Sequence, residues 1–273
     1  MAFENLKTAI RSGQSYLDKA KLAMLVAMKS HPATAHVARP LLHSLSIDGK
    51  IIVRCASSKF SQSLEVAIRI ADFSADMQSL FEVGIADCYR IPAEFLPDVI
   101  IDGGGYTGLF SANSHVRWPK AQLVIVEPFP ANIQVIRHHL KVNQISARIE
   151  AAALSSELAG TGFLYCRTAN SHMLSSSHST GTIIVRVVTL SDLYRPFRDQ
   201  RVLIKLDIEG GEISVLREFT ESNPGLANVL VVGELHNWPE HKAEFLAIMR
   251  DANWTVSFFS EDSICVLFHA APQ

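Results

Sequence analysis

The densest chemistry in this 273-residue sequence is a glycine run behind a short apolar stretch, where Val99-Ile100-Ile101 leads into Asp102-Gly103-Gly104-Gly105-Tyr106-Thr107-Gly108. Gly103, Gly105 and Gly108 satisfy G-x-G-x-x-G, a pattern of strand-to-helix turns that bind nucleotides. Consecutive glycines cost chain entropy, which predicts that something approaches the backbone closely there. Asp102 stands where a pyrophosphate would otherwise rest on a helix N-terminus, and its carboxylate repels phosphate but favours a cationic amine. Glu127 ends the next apolar run, Leu123-Val124-Ile125-Val126. It is placed to accept both hydroxyl hydrogens of a ribose. A ligand with an amine, a ribose and no phosphate fits S-adenosylmethionine better than a nicotinamide dinucleotide. Asp102 discriminates between them, whereas Glu127 serves either. The loop residues expected at the cofactor are Asp102, Gly103, Gly104, Tyr106, Thr107 and Gly108.

A second group sits at the ends of later apolar runs. Asp207 follows Val202–Leu206, Glu234 follows Val229–Val232, Glu209 opens the next helical pattern, and His236 lies two residues past Glu234. Ligands of an open parallel sheet bind outside the carboxyl ends of its strands, so these residues are expected to be neighbours. Carboxylates converging there suit a hard cation such as Mg²⁺, with Asp207 and Glu234 as ligands. Such a cation would lower the pKa of a bound hydroxyl and hold it in line with a methyl. His236, with a reference pKa of about 6.5, is the alternative general base. Asp207, His236 and Glu209 are therefore the candidate catalytic residues. Plainer roles compete: Glu209 suits a helix macrodipole, Asp207 could serve the cofactor, and Lys205 is expected to pair with a nearby acid. His138 and His139 are expected on a solvated helix face, and His172 and His178 in a polar loop.

These residues need a scaffold, and from Asp98 onward the sequence alternates strands and helices at parallel-sheet spacing. Strands are predicted at 99–101, 123–126, 148–154, 202–206 and 229–232, with helices at 109–116, 131–142, 209–219 and 241–252. Strands at 162–166 and 182–188 flank the polar loop Thr168–Gly181, and a final antiparallel pair covers 254–259 and 264–268. Upstream, residues 3–29 read as an amphipathic helix ended by His31-Pro32. Strands follow at 51–53 and 64–70, Asp48-Gly49 is a type I′ hairpin signal, and a short helix is expected near Ala75–Val83. The expected fold is α/β: residues 98–273 form the cofactor-binding domain, and 1–97 an accessory layer of helix and strands.

Composition narrows the classes. Hydrophobic residues make up 48% and charged residues 19%, which suits a packed core and excludes wholesale disorder. The apolar run Leu22–Met28 has seven residues, where a membrane span needs about 20. A net charge of −2 gives no electrostatic footprint for nucleic acid or anionic lipid. The four cysteines contain no Cys-x-x-Cys pair, which speaks against a zinc knuckle or disulfide scaffold and suits a reducing compartment. Ala33-Thr34-Ala35 after Leu22–Met28 imitates a signal-peptide cleavage site, but Glu4 and Asp18 spoil the basic leader. A cytoplasmic location is expected.

Several blocks occur in order: Asp102–Gly108, Val126-Glu127-Pro128-Phe129-Pro130-Ala131-Asn132, Asn143, Ala152-Ala153-Leu154, Thr189-Leu190-Ser191-Asp192-Leu193, Leu203–Glu212 and Gly233-Glu234-Leu235-His236. Together they resemble the FkbM-type S-adenosylmethionine-dependent methyltransferases over about residues 99–268. The resemblance implies a Rossmann-like seven-stranded class I methyltransferase sheet with its last strand antiparallel. It also implies O-methylation of natural products or sugars, and it brings Ala152 into the cofactor set. An asparagine is usual where Tyr106 stands. The implied partner is a small-molecule hydroxyl acceptor, with an oligomer interface as one use of the N-terminal layer. A nucleotide-dependent oxidoreductase, disfavoured by Asp102, and a non-catalytic cofactor-binding protein are the other two readings. Acceptor specificity is expected in Thr168–Gly181 and the N-terminal layer.

Overall fold

A computed structural model describes residues 11–30, 46, 48–56, 63–157, 160–168, 171–175, 182–261 and 265–273. Residues 3–10 of the predicted first helix, His31-Pro32, His178, and the side chain of His172 lie outside what is described. The chain forms two compact units: residues 1–88 with 107–117 and 135–145, and residues 89–106, 118–134 and 146–273.

In the first unit, helix α1 spans Tyr16–Ser30. It starts afresh after Gly13 because Ser15 caps it: the Asp18 N–H donates to Ser15 Oγ at 3.0 Å, and Asp18 Oδ2 accepts the Ser15 N–H at 3.1 Å. Asp18 Oδ1 also accepts the Arg54 N–H at 3.0 Å. Leu22, Leu25, Val26 and Met28 are its buried apolar residues. Strands β1 (Lys50–Ala56) and β2 (Ser63–Arg69) pair antiparallel with Ile52 opposite Ala67. Asp48 and Gly49 both have positive φ, at 50° and 70°, as the hairpin signal requires. That turn opens β1, however, and the described partner of β1 is β2, which follows it. Helix α2 (Phe73–Ser79) runs into a π-helical turn, Leu80–Ile85. Arg69 and Asp76 form a buried ion pair at 2.7 Å. Helix α3 (Leu109–Arg117) and residues 135–142 of helix α4 (Pro130–Val142) complete the unit.

His139 departs from its expected place at the surface, for it is buried. Its Nε2 accepts the Ala67 N–H at 2.9 Å, which leaves Nδ1–H to donate to the Thr107 carbonyl at 2.7 Å. The ring satisfies two backbone groups that the hairpin and the loop before α3 would otherwise leave orphaned. Amphipathic spacing alone cannot report this, because the partner strand lies 72 positions upstream.

The second unit carries β3 (Val99–Gly103), β4 (Gln122–Val126), β5 (Arg148–Glu150), β6 (Ala152–Leu154), β7 (Gly160–Thr168), β8 (Ser171–Ser175) and β9 (Thr182–Val188). After these come α5 (Leu190–Tyr194), β10 (Val202–Leu206), α6 (Glu212–Ser222), β11 (Val229–Leu235), α7 (Trp238–Asp251), β12 (Trp254–Glu261) and β13 (Val266–Pro272). The main sheet has seven strands in the order β12-β13-β11-β10-β3-β4-β5. Strands β11, β10, β3, β4 and β5 run parallel, while β13 pairs antiparallel with both β11 and β12. This is the expected Rossmann-like α/β sheet with a reversed last strand. Every residue of β3 and β10 is buried, as continuous apolar runs in a covered parallel sheet demand.

The predicted strand 148–154 divides. β5 stays in the main sheet, whereas β6 pairs parallel with β9 in a second sheet ordered β6-β9-β7-β8. Parallel register brings Lys205 beside Asp102 on one side and beside Val232 on the other. Chemistry is thereby gathered at one edge of the sheet.

Burial holds the His139 ring down to about 4, against an ordinary value of 6.5. The folded state thus binds fewer protons than the unfolded chain between those values, and stability should fall as pH drops from 6.5 toward 4. His139→Phe should flatten that limb in urea titrations and lose about 1–3 kcal/mol for each orphaned backbone group.

Candidate active site at the carboxyl edge

The glycine loop is tight for a reason internal to the chain. A Cβ on Gly104, where φ is +78°, would lie 1.8 Å from the Asp207 carbonyl oxygen, and one on Gly103 would lie 2.7 Å from Leu154 Cδ1. The close approach expected at these glycines is made by the chain itself, at Gly104 by the backbone just past β10 and at Gly103 by the Leu154 side chain. The N–H groups of Gly104 and Gly105 both donate to the Val126 carbonyl at 3.0 Å. Tyr106 follows with φ +48°, a left-handed conformation that asparagine adopts more readily than tyrosine. Its N–H donates to Glu127 Oε2 at 2.8 Å, which holds it there.

Glu127 is buried, and its Oε1 accepts the Phe129 N–H at 2.9 Å and Asn132 Nδ2 at 3.3 Å. An ionised carboxylate has about four acceptor positions. Three are used, so the capacity left is for one ribose hydroxyl where two were expected. Burial pushes the Glu127 carboxyl up to about 7 against the pull of these N–H donors. Among the described residues the buried Thr107 hydroxyl has no protein partner. Gly108 has φ +78°, and Ala152 is buried in β6.

Lys205 explains Asp102. The carboxylate of Asp102 is 0% exposed and lies 3.4 Å from Lys205 Nζ, so the cation it meets is the chain's own. The same ammonium donates to the Gly104 carbonyl at 2.6 Å and the Gly103 carbonyl at 3.2 Å, and stands 3.7 Å from Asp207 Oδ2. Burial disfavours the lysine charge, but the carboxylates of Asp207, Asp102 and Glu127 outweigh it and hold the ammonium above its ordinary pKa. The expected pairing of Lys205 with a nearby acid is thus a junction of two acids and two loop carbonyls.

The acid cluster begins where β10 ends. Asp207 Oδ2 accepts the Tyr89 hydroxyl at 2.8 Å. Glu209 has φ 63° and precedes Gly210 at φ 113°. It therefore stands in the loop before α6, and the helix-terminal role expected of it falls to Glu212. Buried Glu212 accepts the N–H groups of Ile208 at 3.0 Å and Gly210 at 3.1 Å, and contacts His236 Nδ1 at 2.9 Å. His236 Nε2 lies 3.6 Å from Glu209 Oε2. Burial works against charge on His236, yet Glu212, Asp207 and Glu209 carry its pKa to about 10. So far above neutrality, the ring favours its protonated form at pH 7, which weighs against the role of base expected of it. Burial pushes Glu209 up to about 7; His236 pulls it down, and Asp207, Glu212 and Glu234 push it further up.

Among the described residues two groupings could hold a cation, Asp207-Glu209-His236 and Glu234-His236-Cys265, each with ligand atoms within 4.8 Å of one another. They share the histidine rather than the Asp207–Glu234 pair. Mg²⁺ takes oxygen ligands, whereas one set brings a thiol and both bring a ring whose two nitrogens already face carboxylates. The donor set does not fit Mg²⁺. An S-adenosylmethionine ligand fits better: Glu127 has acceptor capacity for a ribose hydroxyl, and carboxylates line an edge suited to a cationic ligand.

Sequence reasoning missed Tyr89, Glu212 and Cys265. Glu212 left a signal, an acid in the first turn of α6, while Tyr89 reaches Asp207 across 118 positions and left none.

Residues 102–254, more than half of the chain, match the methyltransferase FkbM domain. The chain belongs to the FkbM methyltransferase family. Methyltransferase 1 of Beauveria bassiana (strain ARSEF 2860) is 27% identical over 175 residues, covering 55% of this chain and 70% of the relative. Among solved structures, methyltransferase FkbM of Methylobacillus flagellatus KT aligns with a TM-score of 0.46 at 11% identity, over 98% of this chain and 58% of that one. The precorrin-6y C5,15-methyltransferase of Geobacter metallireducens GS-15 aligns with 0.43 at 10%, over 68% and 87%.

Lys205→Met leaves buried Asp102, part-buried Asp207 and two carbonyls without their cation, and should destabilise the fold by about 3–5 kcal/mol in urea titrations. His236 supplies a pH signature of its own. Its folded pKa is raised, so its contribution is complete below 6.5 and is lost as pH rises through about 10. The melting temperature should decline over that interval, and His236→Gln should remove most of the decline.

Proposed function

We propose that this protein transfers a methyl group from S-adenosylmethionine to a hydroxyl oxygen of a small molecule, a sugar or secondary metabolite. Family membership supports methyl transfer and sets aside the oxidoreductase reading. The observation that carries the oxygen acceptor is Glu209. It is a part-exposed carboxyl with a pKa of about 7, next to an imidazolium, on a sheet edge whose backbone touches the glycine loop.

The bound cofactor supplies an already activated methyl on its sulfonium. The protein's work is to align the hydroxyl, exclude water and remove one proton. A carboxylate titrating near the working pH is well matched to that removal. Glu209 accepts the hydroxyl proton, and His236 holds the ionised form of Glu209 ready beforehand. Asp207, fixed by Tyr89 and Lys205, offers the acceptor hydroxyl a second oxygen to bind against. Two cation-lined carboxylates and a net charge of −2 favour a small acceptor over nucleic acid. No described helix is long and apolar enough to cross a membrane. A cytoplasmic enzyme that uses its N-terminal layer for substrate or subunit contacts is the accompanying reading.

Calorimetry should give S-adenosylmethionine binding in the micromolar range common for enzyme ligands and no heat with NAD; the reverse result would sink the proposal. With methyl-labelled cofactor and a panel of sugars, polyols and phenols, turnover should rise with pH through about 7 as Glu209 loses its proton. Glu209→Gln should lose about 10²–10⁴-fold in rate. A fully active Glu209→Gln enzyme would place the proton acceptor elsewhere.

A further inference from the structure

We propose that Tyr89 is a positioning residue for the methyl transfer, holding the Asp207 carboxylate for the acceptor hydroxyl, and that His269 in turn holds Tyr89. The inference rests on the reading of the Asp207-Glu209-His236 edge as the transfer site. Both residues lie outside the 102–254 stretch that matches the family, so they complete the site from either side of it.

Asp207 needs an anchor that Lys205 does not fully supply. An ammonium has three protons, and Lys205 Nζ has closer oxygens in Gly104 at 2.6 Å, Gly103 at 3.2 Å and Asp102 at 3.4 Å than in Asp207 at 3.7 Å. The short hydrogen bond to Asp207 comes from the Tyr89 hydroxyl, at 2.8 Å. A carboxylate accepts and does not donate when ionised, so the phenol must give its proton to that bond. The competing attraction is His236, whose ring lies in the same 4.8 Å grouping as Asp207 and Glu209. Were Asp207 to swing onto the imidazolium, it would displace Glu209 from its charge partner. Tyr89 keeps the two acids in separate places.

Tyr89 is itself fixed. It is 3% exposed, and its carbonyl accepts His269 Nε2–H at 2.6 Å. His269 stands on β13 opposite Val232 of β11, with its ring 4.5 Å from that of Phe259. The guanidinium of Arg90 lies 5.6 Å from the centre of the same Phe259 ring. Two consecutive residues are thus pinned to the β12–β13 pair, and the phenol is delivered to the end of β10 with little freedom.

Tyr89→Phe removes one oxygen and keeps the ring packing. In full-length protein labelled with ¹³C at aspartate carboxyls, the Asp207 resonance, identified by its absence from Asp207→Asn, should move in Tyr89→Phe and move less in His269→Ala. With the best acceptor from the sugar, polyol and phenol panel, kcat should fall about 10–100-fold, as for loss of one hydrogen bond to a charged group. S-adenosylmethionine affinity should change less than about twofold and the melting temperature little, which separates positioning from a general loss of structure. An unmoved Asp207 resonance overturns the proposal whatever the turnover. So does a moved resonance with unchanged kcat. Absence of turnover by the unaltered enzyme with every panel acceptor would instead count against the O-methyl reading, while the resonance still decides whether Tyr89 holds Asp207.

Discussion

A single buried ammonium organises the carboxyl edge of the sheet. Lys205 lies in the middle of a strand whose five residues are all buried, a position where an unpaired charge would be intolerable. It is tolerable because parallel register sets Asp102 beside it and because the glycine loop turns two carbonyls toward it. The dependence runs both ways. Asp102 meets a counter-charge in a dry interior because Lys205 is there, and the loop keeps its tight path because its carbonyls end on Lys205. Close contact between Gly104 and Asp207 then fixes the distance between the glycine loop and the acids that follow β10.

Much of this architecture was legible. Strand and helix alternation after Asp98, the antiparallel ending and the convergence of Asp207 and His236 all follow from patterns that span only a few residues. What escaped was whatever depends on register or on distant partners. Asp102 reads as a free carboxylate until the neighbouring strand supplies Lys205. The same lack of tertiary information misplaced His139, whose helix has a polar neighbour pattern but whose ring serves a strand 72 positions upstream. The division of residues 148–154 between two sheets is likewise invisible in a run of strand-forming residues.

Charge state was the least legible property of all. His236 and Glu209 exchange their ordinary behaviour: the histidine is held charged, to about 10, and the carboxyl is moved to about 7. Neither shift belongs to a residue type. Burial raises the Glu209 carboxyl, whereas the imidazole is held charged because buried Glu212 meets one ring nitrogen and leaves the other toward that part-exposed acid. Local motif logic names the participants but cannot assign their protons, since the outcome depends on how many like charges share the space.

The composition of the first unit bears on how such an enzyme could be built or rebuilt. Its hairpin and π-helical turn, from the first 88 residues, are hydrogen-bonded to segments of the family domain itself. Asn143 meets the backbone of Glu65 at both N–H and carbonyl, His139 meets Ala67, and Asn113 donates to the carbonyls of Val83 and Gly84. A fusion or domain swap cut near residue 97 would strip two helices of these polar partners, and a graft of another family member's front portion would have to restore those bonds residue by residue.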